Sequence, residues 1–229
     1  MRKLILVLVE AAVELVPRSI LNHPSVRADA VRRGKRPSEI LLDRSYHHAA
    51  MKDLPESWKR GRPDIAHFFL LEALGSPLNK RGMLETYLHL RDDRVIWFNP
   101  ETRLPRVYDR FKGLIEKLYK EPIVEADGRI LLRMERKSLS DLISELKPDL
   151  KLLLSEEGER ISWRELGDLI LLHENPMIMI GGFPRGDFRK ETVEAADRLI
   201  SIWPEVLEAW IITSRILSIT EMRLFGDHR

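Results

Sequence analysis

Three arginines and two aromatic residues follow one another closely in a single segment: Arg103, Arg106, Tyr108, Arg110 and Phe111. A guanidinium group is permanently charged and matches phosphate oxygens with two parallel donors, so it can hold a nucleic-acid backbone when its own position is fixed. The segment therefore indicates an RNA-binding edge. A solvated basic helix face is the alternative interpretation of the same residues.

A helix start is predicted to position these arginines. Pro105 suits the first position of a helix and favours an extended backbone at Leu104. Arg106 and Arg110 are then four residues apart and share one face of the helix. A neighbouring apolar stripe would pack the helix on a core, and its members are Val107, Phe111, Leu114 and Leu118.

A fourth arginine stands beside a carboxylate at another predicted helix start. Arg62 and Asp64 flank Pro63, and the apolar run Ile65–Leu74 follows them. Asp64 can cap this helix and do nothing more, which is the commoner role of such an aspartate. It can also orient Arg62 toward a ligand.

Composition excludes several classes of protein. The 229 residues are 44% apolar and 32% charged, which is typical of a globular chain and favours one large domain. The absence of cysteine excludes disulfides, thiolate catalysis and cysteine-based zinc sites, and it favours a cytoplasmic location. His47 and His48 are adjacent and face different sides of a helix, so no metal site is predicted. The run Leu4–Val9 predicts a buried strand, because Glu10 interrupts it too early for a signal peptide, and no later stretch is apolar for long enough to span a membrane.

Net charge does not identify a nucleic-acid binder, since 38 basic groups are nearly balanced by 36 acidic ones. Its distribution is more informative. Residues 17–36 contain six lysines and arginines and one aspartate. Positive charge is therefore concentrated near the amino-terminal third of the chain.

Hydrophobic periodicity and turn residues predict the elements of the first half of the chain. They are a strand at Leu4–Val9, a helix at Ala11–Leu15, a basic loop with one short helix at 17–36, a strand at Glu39–Asp43, a helix at Tyr46–Leu54, and a hairpin of strands Leu84–Leu90 and Arg94–Phe98.

The second half is predicted to alternate short strands and helices. They are strand Ile130–Met134, helix Ser138–Leu146 with Ser138 as its cap, strand Leu150–Leu154, helix Ser162–Leu172, strand Met177–Ile180, helix Thr192–Leu199, strand Ile200–Trp203, and a final helix from about Val206 to Phe225. Such alternation predicts a parallel sheet covered by helices, with ligands bound beyond the carboxyl ends of the strands.

The loops at those strand ends are predicted to bind a ligand. Residues 155–158 form a short polar loop, and residues 181–188 contain three glycines that let the main chain approach a ligand closely. Residues 202–207 offer apolar walls on which a flat heterocycle such as adenine could lie. The glycines do not have the spacing of a dinucleotide fingerprint or a phosphate loop, and plain turn geometry is the alternative explanation for them.

Several motifs occur in an order that identifies a family. They are Arg-Pro-Asp-Ile at 62–65, Ser-Pro-Leu-Asn-Lys at 76–80, Asn-Pro-Glu-Thr at 99–102, Arg-Leu-Pro-Arg at 103–106, Arg-Phe-Lys-Gly-Leu-Ile-Glu at 110–116, Gly-Gly-Phe-Pro at 181–184, Ala-Trp at 209–210 and Ser-Arg at 214–215. With these motifs the chain resembles the pseudouridine-N1-specific ribosomal RNA methyltransferases that act in small-subunit biogenesis, a family of the SPOUT class.

The resemblance implies an α/β fold: a SPOUT-type parallel sheet with helices on both faces, a C-terminal trefoil knot, and a family-specific extension around residues 17–120. It implies a single domain over residues 1–229, with an RNA-gripping insertion at roughly 55–120 and a cofactor-binding knot at roughly 149–229. S-adenosylmethionine is the implied cofactor, with S-adenosylhomocysteine as product and no metal. Small-subunit ribosomal RNA and a second copy of the chain are the implied partners, without a membrane.

Site residues follow from the same resemblance. Those implied to hold the ribosomal RNA are Arg62, Arg103, Arg106 and Arg110. Asp64 is implied to steady Arg62 and is also the candidate base. Those implied to contact the cofactor are Gly181, Gly182, Gly186, Ile202, Trp203, Pro204, Glu205, Val206 and Leu207. Glu208 departs from the small hydroxyl residue that is common in relatives.

The implied reaction transfers a methyl group to N1 of a pseudouridine, a nitrogen that is free because this base is linked to its sugar through carbon. A base held in a stacked helix cannot meet the methyl group in line, so the enzyme must expose it. Two alternatives remain open. One is an RNA-binding assembly factor without catalysis, and the other is a methyltransferase of the same class acting on transfer RNA.

Overall fold

The computed structural model describes residues 1–226. The strands are β1 Leu4–Ala11, β2 Leu84–Leu90, β3 Arg94–Phe98, β4 Ile123–Ala126, β5 Arg129–Arg136, β6 Leu150–Arg160, β7 Pro176–Gly181 and β8 Arg198–Ser201. The α-helices are α1 Pro24–Arg32, α2 Arg44–His47, α3 Pro63–Gly75, α4 Pro77–Lys80, α5 Tyr108–Lys120, α6 Leu139–Leu146, α7 Trp163–Leu172, α8 Lys190–Glu194 and α9 Ala209–Phe225. Short 3₁₀ helices lie at Arg18–Ile20, Pro37–Glu39, His48–Met51 and Ser57–Lys59.

The strands form one sheet in the order β4-β5-β3-β2-β1-β7-β6-β8. The five strands from β2 to β8 are parallel, whereas β3, β5 and β4 extend the sheet by antiparallel pairing. All eight residues of β1 are buried, as expected for a central parallel strand covered on both faces. The predicted α/β class with a mostly parallel sheet is confirmed.

Helices cover both faces of the sheet. One face packs its alternate β1 side chains, such as Leu6 and Leu8, against α3, α5, α7 and α9. The opposite face packs Ile5 and Val7 against α6. A smaller satellite core lies within residues 16–54 and contains Val26 of α1. Within residues 1–226, no helix is both long and apolar enough to cross a membrane.

Several predicted elements are confirmed in position. The hairpin strands β2 and β3 have the predicted bounds and pair in antiparallel fashion. Ser138 caps α6, because its hydroxyl accepts a hydrogen bond from the Asp141 amide at 3.1 Å. Strong local signals therefore located these elements within a residue or two.

Two predicted elements near the amino terminus were wrong. Ala11–Leu15 is not a helix, because the Ala12 amide donates to the Gly182 carbonyl at 2.8 Å and the chain continues in an extended form. Glu39–Asp43 is not a strand and retains one isolated bridge, from Leu41 to Leu15. Its Leu41 amide donates instead to the Glu116 carboxylate at 2.8 Å. In both segments, contacts with residues distant in sequence therefore outweigh the local conformational preference.

The second half contains three further corrections. Strand β6 continues to Arg160, so residues 155–158 lie within a strand with a register shift and not in a loop. Helix α8 ends at Glu194, and Leu199 belongs to β8. Backbone pairing explains the early end, because the Asp197 amide donates to the Lys151 carbonyl at 2.9 Å. The antiparallel strand β4 was not predicted.

Candidate active site

A cavity of about 570 Å³ lies where strands β7 and β8 end, beside the part of β6 that follows its parallel pairing with β7. This is the edge at which parallel sheets bind ligands, and the volume is that of a site for a small molecule. Three segments supply most of its wall. The lining residues are Leu154, Ser155, Glu156, Glu157, Ile180, Gly181, Phe183, Pro184, Arg185, Gly186, Asp187, Phe188, Val193, Leu199, Ile200, Ile202, Trp203, Glu205, Val206, Leu207, Ala209 and Ile212.

Most of the predicted cofactor residues line this cavity. Those that do are Gly181, Gly186, Ile202, Trp203, Glu205, Val206 and Leu207. Gly182 and Pro204 are outside the lining. Gly182 instead packs on the end of β1, where a Cβ would lie 2.7 Å from the Cα of Ala11. Its amide donates to the Val9 carbonyl at 2.8 Å, so it supports the wall from behind.

Glycine is required at Gly186 for a conformational reason. Its φ is +93°, in a region that side chains rarely adopt, and a Cβ there would lie 3.1 Å from Nε1 of Trp58. At Gly181 a Cβ would lie 3.1 Å from the ring of Phe188. The two glycines therefore let a tight loop pass between aromatic side chains at the rim of the cavity.

Acidic side chains outnumber basic ones in the lining. Glu156, Glu157, Asp187 and Glu205 contribute carboxylates, and Arg185 contributes the single guanidinium among the lining residues. Apolar walls with an excess of negative charge suit a partly apolar ligand that carries a net positive charge.

Arg62 and Asp64 are held together at the start of α3. The Arg62 Nε donates to Asp64 Oδ1 at 2.8 Å, and Nη2 donates to Oδ2 at 2.8 Å. Both side chains are about one-third exposed, so the pair faces solvent while fixed in geometry. The hydrogen bond that Arg62 donates to the Asp64 carboxylate raises the pKa of Arg62 above its ordinary value. The carboxylate thus orients the guanidinium and leaves part of it free for a ligand.

The predicted helix start at Pro105 was wrong. Helix α5 begins at Tyr108, and Val107 is its N-cap, with a side chain that is 56% exposed and not part of the stripe. Arg106 therefore precedes the helix and does not share a helical face with Arg110. The Pro105 carbonyl is bound by His67 Nε2 at 2.8 Å, which holds this segment against α3 and out of the helix.

Arg103, Arg106 and Arg110 remain exposed around this corner. None of the three forms an ion pair with another residue of 1–226, whereas the nearby Arg129 pairs with Glu101 at 2.5 Å. Their guanidinium groups are thus available to an external anion. Together with Arg62 we call them the arginine cluster.

Buried contacts support the arginine cluster from below. The Tyr108 hydroxyl and the Lys112 ammonium both bind Asp43 Oδ2, at 2.9 and 3.0 Å. Lys112 is fully buried, and the pKa of Tyr108 is raised, chiefly by its burial. The His67 ring stacks on Phe111 with centroids 4.4 Å apart. These contacts fix the first turn of α5, on which Arg110 stands.

The arginine cluster and the cavity adjoin each other. The Arg62 amide donates to the Ala12 carbonyl at 3.1 Å, and the Ala12 amide donates to the Gly182 carbonyl at 2.8 Å. Two hydrogen bonds therefore link the backbone of Arg62 to the loop behind the cavity. Trp210, which follows the last lining loop, packs on Phe68 of α3 with ring centroids 5.0 Å apart.

Several contributing residues were not predicted. His67 and Lys112 lie on predicted helices, but nothing in their spacing indicates that they are buried or what they bind. Glu10 and Lys59 are also buried and were not considered as site residues. Of these residues only Glu10 has a sequence signal, because it is a lone charged residue between the apolar stretches Leu4–Val9 and Ala11–Val13.

Comparison with known proteins agrees with this arrangement. Residues 6–221 match the model of the EMG1/NEP1 methyltransferase family. The chain is 48% identical over 212 residues to the ribosomal RNA small subunit methyltransferase Nep1 of Thermococcus kodakarensis, covering 93% of this chain and 94% of that protein. It is 44% identical over 216 residues to the enzyme of the same name from Pyrococcus furiosus, covering 94% and 95%.

A solved structure resembles the whole fold. The crystal structure of Archaeoglobus fulgidus Nep1 bound to S-adenosylhomocysteine superposes with a TM-score of 0.85 at 42% identity, covering 96% of this chain and 98% of that one. Sequence and structure thus agree over nearly the full length. The chain belongs to the EMG1/NEP1 methyltransferase family.

Proposed function

We propose that this chain is an S-adenosylmethionine-dependent methyltransferase that methylates N1 of a pseudouridine in small-subunit ribosomal RNA. The observation that carries the proposal is the adjacency of a ligand-sized cavity at the strand ends to three exposed arginines and the partly exposed Arg62. Relatives named as ribosomal RNA small subunit methyltransferases support the substrate class. The Archaeoglobus relative bound to S-adenosylhomocysteine supports the cofactor.

The cavity fits this cofactor chemically. S-adenosylmethionine supplies an activated methyl group on a sulfonium, and it carries a net positive charge at neutral pH. Trp203, Val206 and Leu207 provide apolar wall for an adenine ring, and the carboxylates of the lining oppose the positive charge. Gly181 and Gly186 allow the main chain to approach closely.

The arginine cluster is proposed to hold the RNA. Fixed guanidinium groups bind phosphates of an unstacked loop and so present one base toward the cavity. Asp64 accepts three hydrogen bonds from Arg62 within 3.1 Å, so both of its carboxylate oxygens are already engaged by the guanidinium. Orientation of Arg62 is therefore its proposed role, ahead of that of base for the N1 proton.

We also propose the larger organisation implied by the family resemblance. Residues 149–229 would form the trefoil-knotted cofactor half and residues 55–120 the RNA-gripping insertion of a single domain. Two copies would join through the knotted half. Exposed apolar side chains on neighbouring helices support that dimer, among them Phe68 of α3 and Ile211 of α9, which are 45% and 41% exposed.

A methyl-transfer assay tests the activity. Hairpins of one small-subunit rRNA sequence, with either uridine or pseudouridine at the same position, are incubated with the protein and methyl-labelled S-adenosylmethionine. We expect label in the pseudouridine hairpin alone. Label in neither hairpin, with intact RNA affinity, would favour the non-catalytic assembly factor, and label in a transfer RNA alone would favour the transfer-RNA enzyme.

A further inference from the structure

A buried ion pair joins the sheet to the segment just before α3. Lys59 Nζ lies 2.9 Å from Glu10 Oε2, and their side chains are 5% and 1% exposed. Glu10 is the penultimate residue of β1, and Lys59 ends the 3₁₀ helix Ser57–Lys59. A buried pair costs desolvation that its attraction only partly offsets, so its presence calls for an explanation beyond stability.

Both partners of this pair also bind the segment that forms one rim of the cavity, residues 183–189, which we call the rim loop. Lys59 donates a second hydrogen bond to the Asp187 carbonyl, and its ammonium lies 4.1 Å from the centroid of the Phe183 ring. Glu10 Oε1 accepts a hydrogen bond from the Arg189 amide at 2.8 Å. The rim loop is therefore fastened at both of its ends by one ion pair.

Local geometry agrees with a dedicated role for Glu10. Its φ is +52°, a left-handed conformation that residues other than glycine adopt uncommonly and that is maintained only where the surroundings enforce it. Burial acts to raise the pKa of its carboxyl, but hydrogen bonds from Lys59 and Arg189 outweigh burial and lower the pKa overall. Glu10 is therefore ionised at neutral pH and binds both donors as a carboxylate.

We propose that Glu10 and Lys59 are positioning residues for the S-adenosylmethionine site. They hold the rim loop in the shape that lines the cavity, and neither is itself a lining residue. The inference rests on the proposed function, because that function names the ligand of the cavity. Without Lys59, the Asp187 carbonyl and one end of the rim loop lose their anchor, and the cofactor must then order the loop at a cost in affinity.

Calorimetry with S-adenosylhomocysteine tests this proposal. Lys59→Met retains the length of the side chain and removes the charge. The matched control is Arg33→Met, since the Arg33 side chain is only 9% exposed and pairs with the buried Glu116 at 2.6 Å, away from the cavity lining. We expect both variants to lower the melting temperature. The Kd should rise about tenfold or more in Lys59→Met and change by less than about twofold in Arg33→Met.

A double variant separates positioning from stability. Glu10→Gln/Lys59→Met removes both buried charges, so the melting temperature should recover at least in part, whereas the anchor on Asp187 stays absent and the Kd should stay raised. If affinity recovers together with stability, the pair is structural and the proposal is overturned. Where Lys59→Met does not fold, Glu10→Ala removes the acceptor of the Arg189 amide and should raise the Kd about tenfold or more, whereas the control Glu116→Ala should change it by less than about twofold.

The wild-type titration separates this inference from the proposed function. No binding of S-adenosylhomocysteine by the wild type would overturn the methyltransferase assignment of the cavity. Normal binding by the wild type together with unchanged affinity in Lys59→Met, or with equal loss in Arg33→Met, would overturn the positioning role alone.

Discussion

At the scale of single residues, an arginine can bind an external anion only if its guanidinium is not already fully paired with a carboxylate of the protein. Arg106 is exposed and forms no ion pair within the described part of the chain, whereas Arg33 and Arg60 point into carboxylates at 2.6 Å. The sequence does not distinguish these arginines. The fold shows which of them could bind phosphate and which of them form ion pairs within the protein. The family motifs contain the exposed arginines that are proposed to hold RNA, but the helix geometry predicted for Arg106 was wrong, since α5 begins only at Tyr108.

Arg106→Ala is expected to weaken binding of a target rRNA hairpin and to leave affinity for S-adenosylhomocysteine unchanged. Loss of one phosphate contact should lower the slope of log affinity against log salt by about 0.7 for a single-stranded loop. Filter binding across a salt series measures it. Arg2→Ala is the control, because this substitution removes the same charge and Arg2 is exposed at the amino end of β1. An equal change in slope for both variants would contradict a specific role for Arg106.

At the scale of elements, predictability followed the range of the contacts. The helix α6 and the hairpin β2–β3 were predicted from caps, turns and alternation, since these signals are local. The conformation of segment 103–107 was predicted wrongly. His67, which is 38 residues earlier in the sequence, binds the Pro105 carbonyl, and this contact outweighs the local preference of proline for a helix start. The position of the cavity was predictable, because parallel strands bind ligands at their carboxyl ends.

Helix α9 exposes large apolar side chains to solvent. Its exposed Ile211 is proposed to lie in the dimer interface, so Ile211→Glu should place an unpaired charge there and shift the protein toward monomer. Light scattering across a dilution series measures the mass. Val31→Glu on α1 is the matched control, since Val31 is 80% exposed and lies outside the half of the chain that is proposed to form the dimer interface. If the Ile211→Glu protein stays dimeric at the same dilutions as the Val31→Glu protein, this face of α9 is not part of the dimer interface.

At the scale of the whole molecule, the sheet acts as the common frame for two sites. Glu10 near the end of the central strand β1 binds the rim loop, and Ala12 just after that strand binds the loop behind the cavity. The Arg62 amide donates to the carbonyl of Ala12. The cavity wall and Arg62 are thus fastened to the same short stretch of backbone. No pattern in the sequence predicts this, because the three segments are separated by about fifty and more than a hundred residues and meet only in the fold.

Three buried histidines also act on the whole molecule. Burial is the largest cause that lowers the pKa of His47, His67 and His89 below the ordinary value. His47 Nδ1 accepts a hydrogen bond from the Asp43 amide at 3.0 Å, and a proton on that nitrogen would break the bond. The folded protein therefore holds these rings neutral at pH values where the unfolded chain, with an ordinary histidine pKa of about 6.5, has begun to protonate them.

Stability should consequently fall as the pH is lowered from about 7.5 to about 5.5, because in this window the unfolded chain binds more protons than the folded one. The contribution of each ring is fully present above the unfolded pKa and is lost as pH falls toward the lower folded pKa. Urea unfolding at a series of pH values measures the free energy. His47→Gln should reduce the pH dependence, since its amide oxygen can still accept from Asp43 without titrating, whereas the exposed neighbour His48→Gln should retain it. A pH dependence that is flat in the wild type, or equal in the two variants, would show that the buried rings are not the groups that link stability to pH.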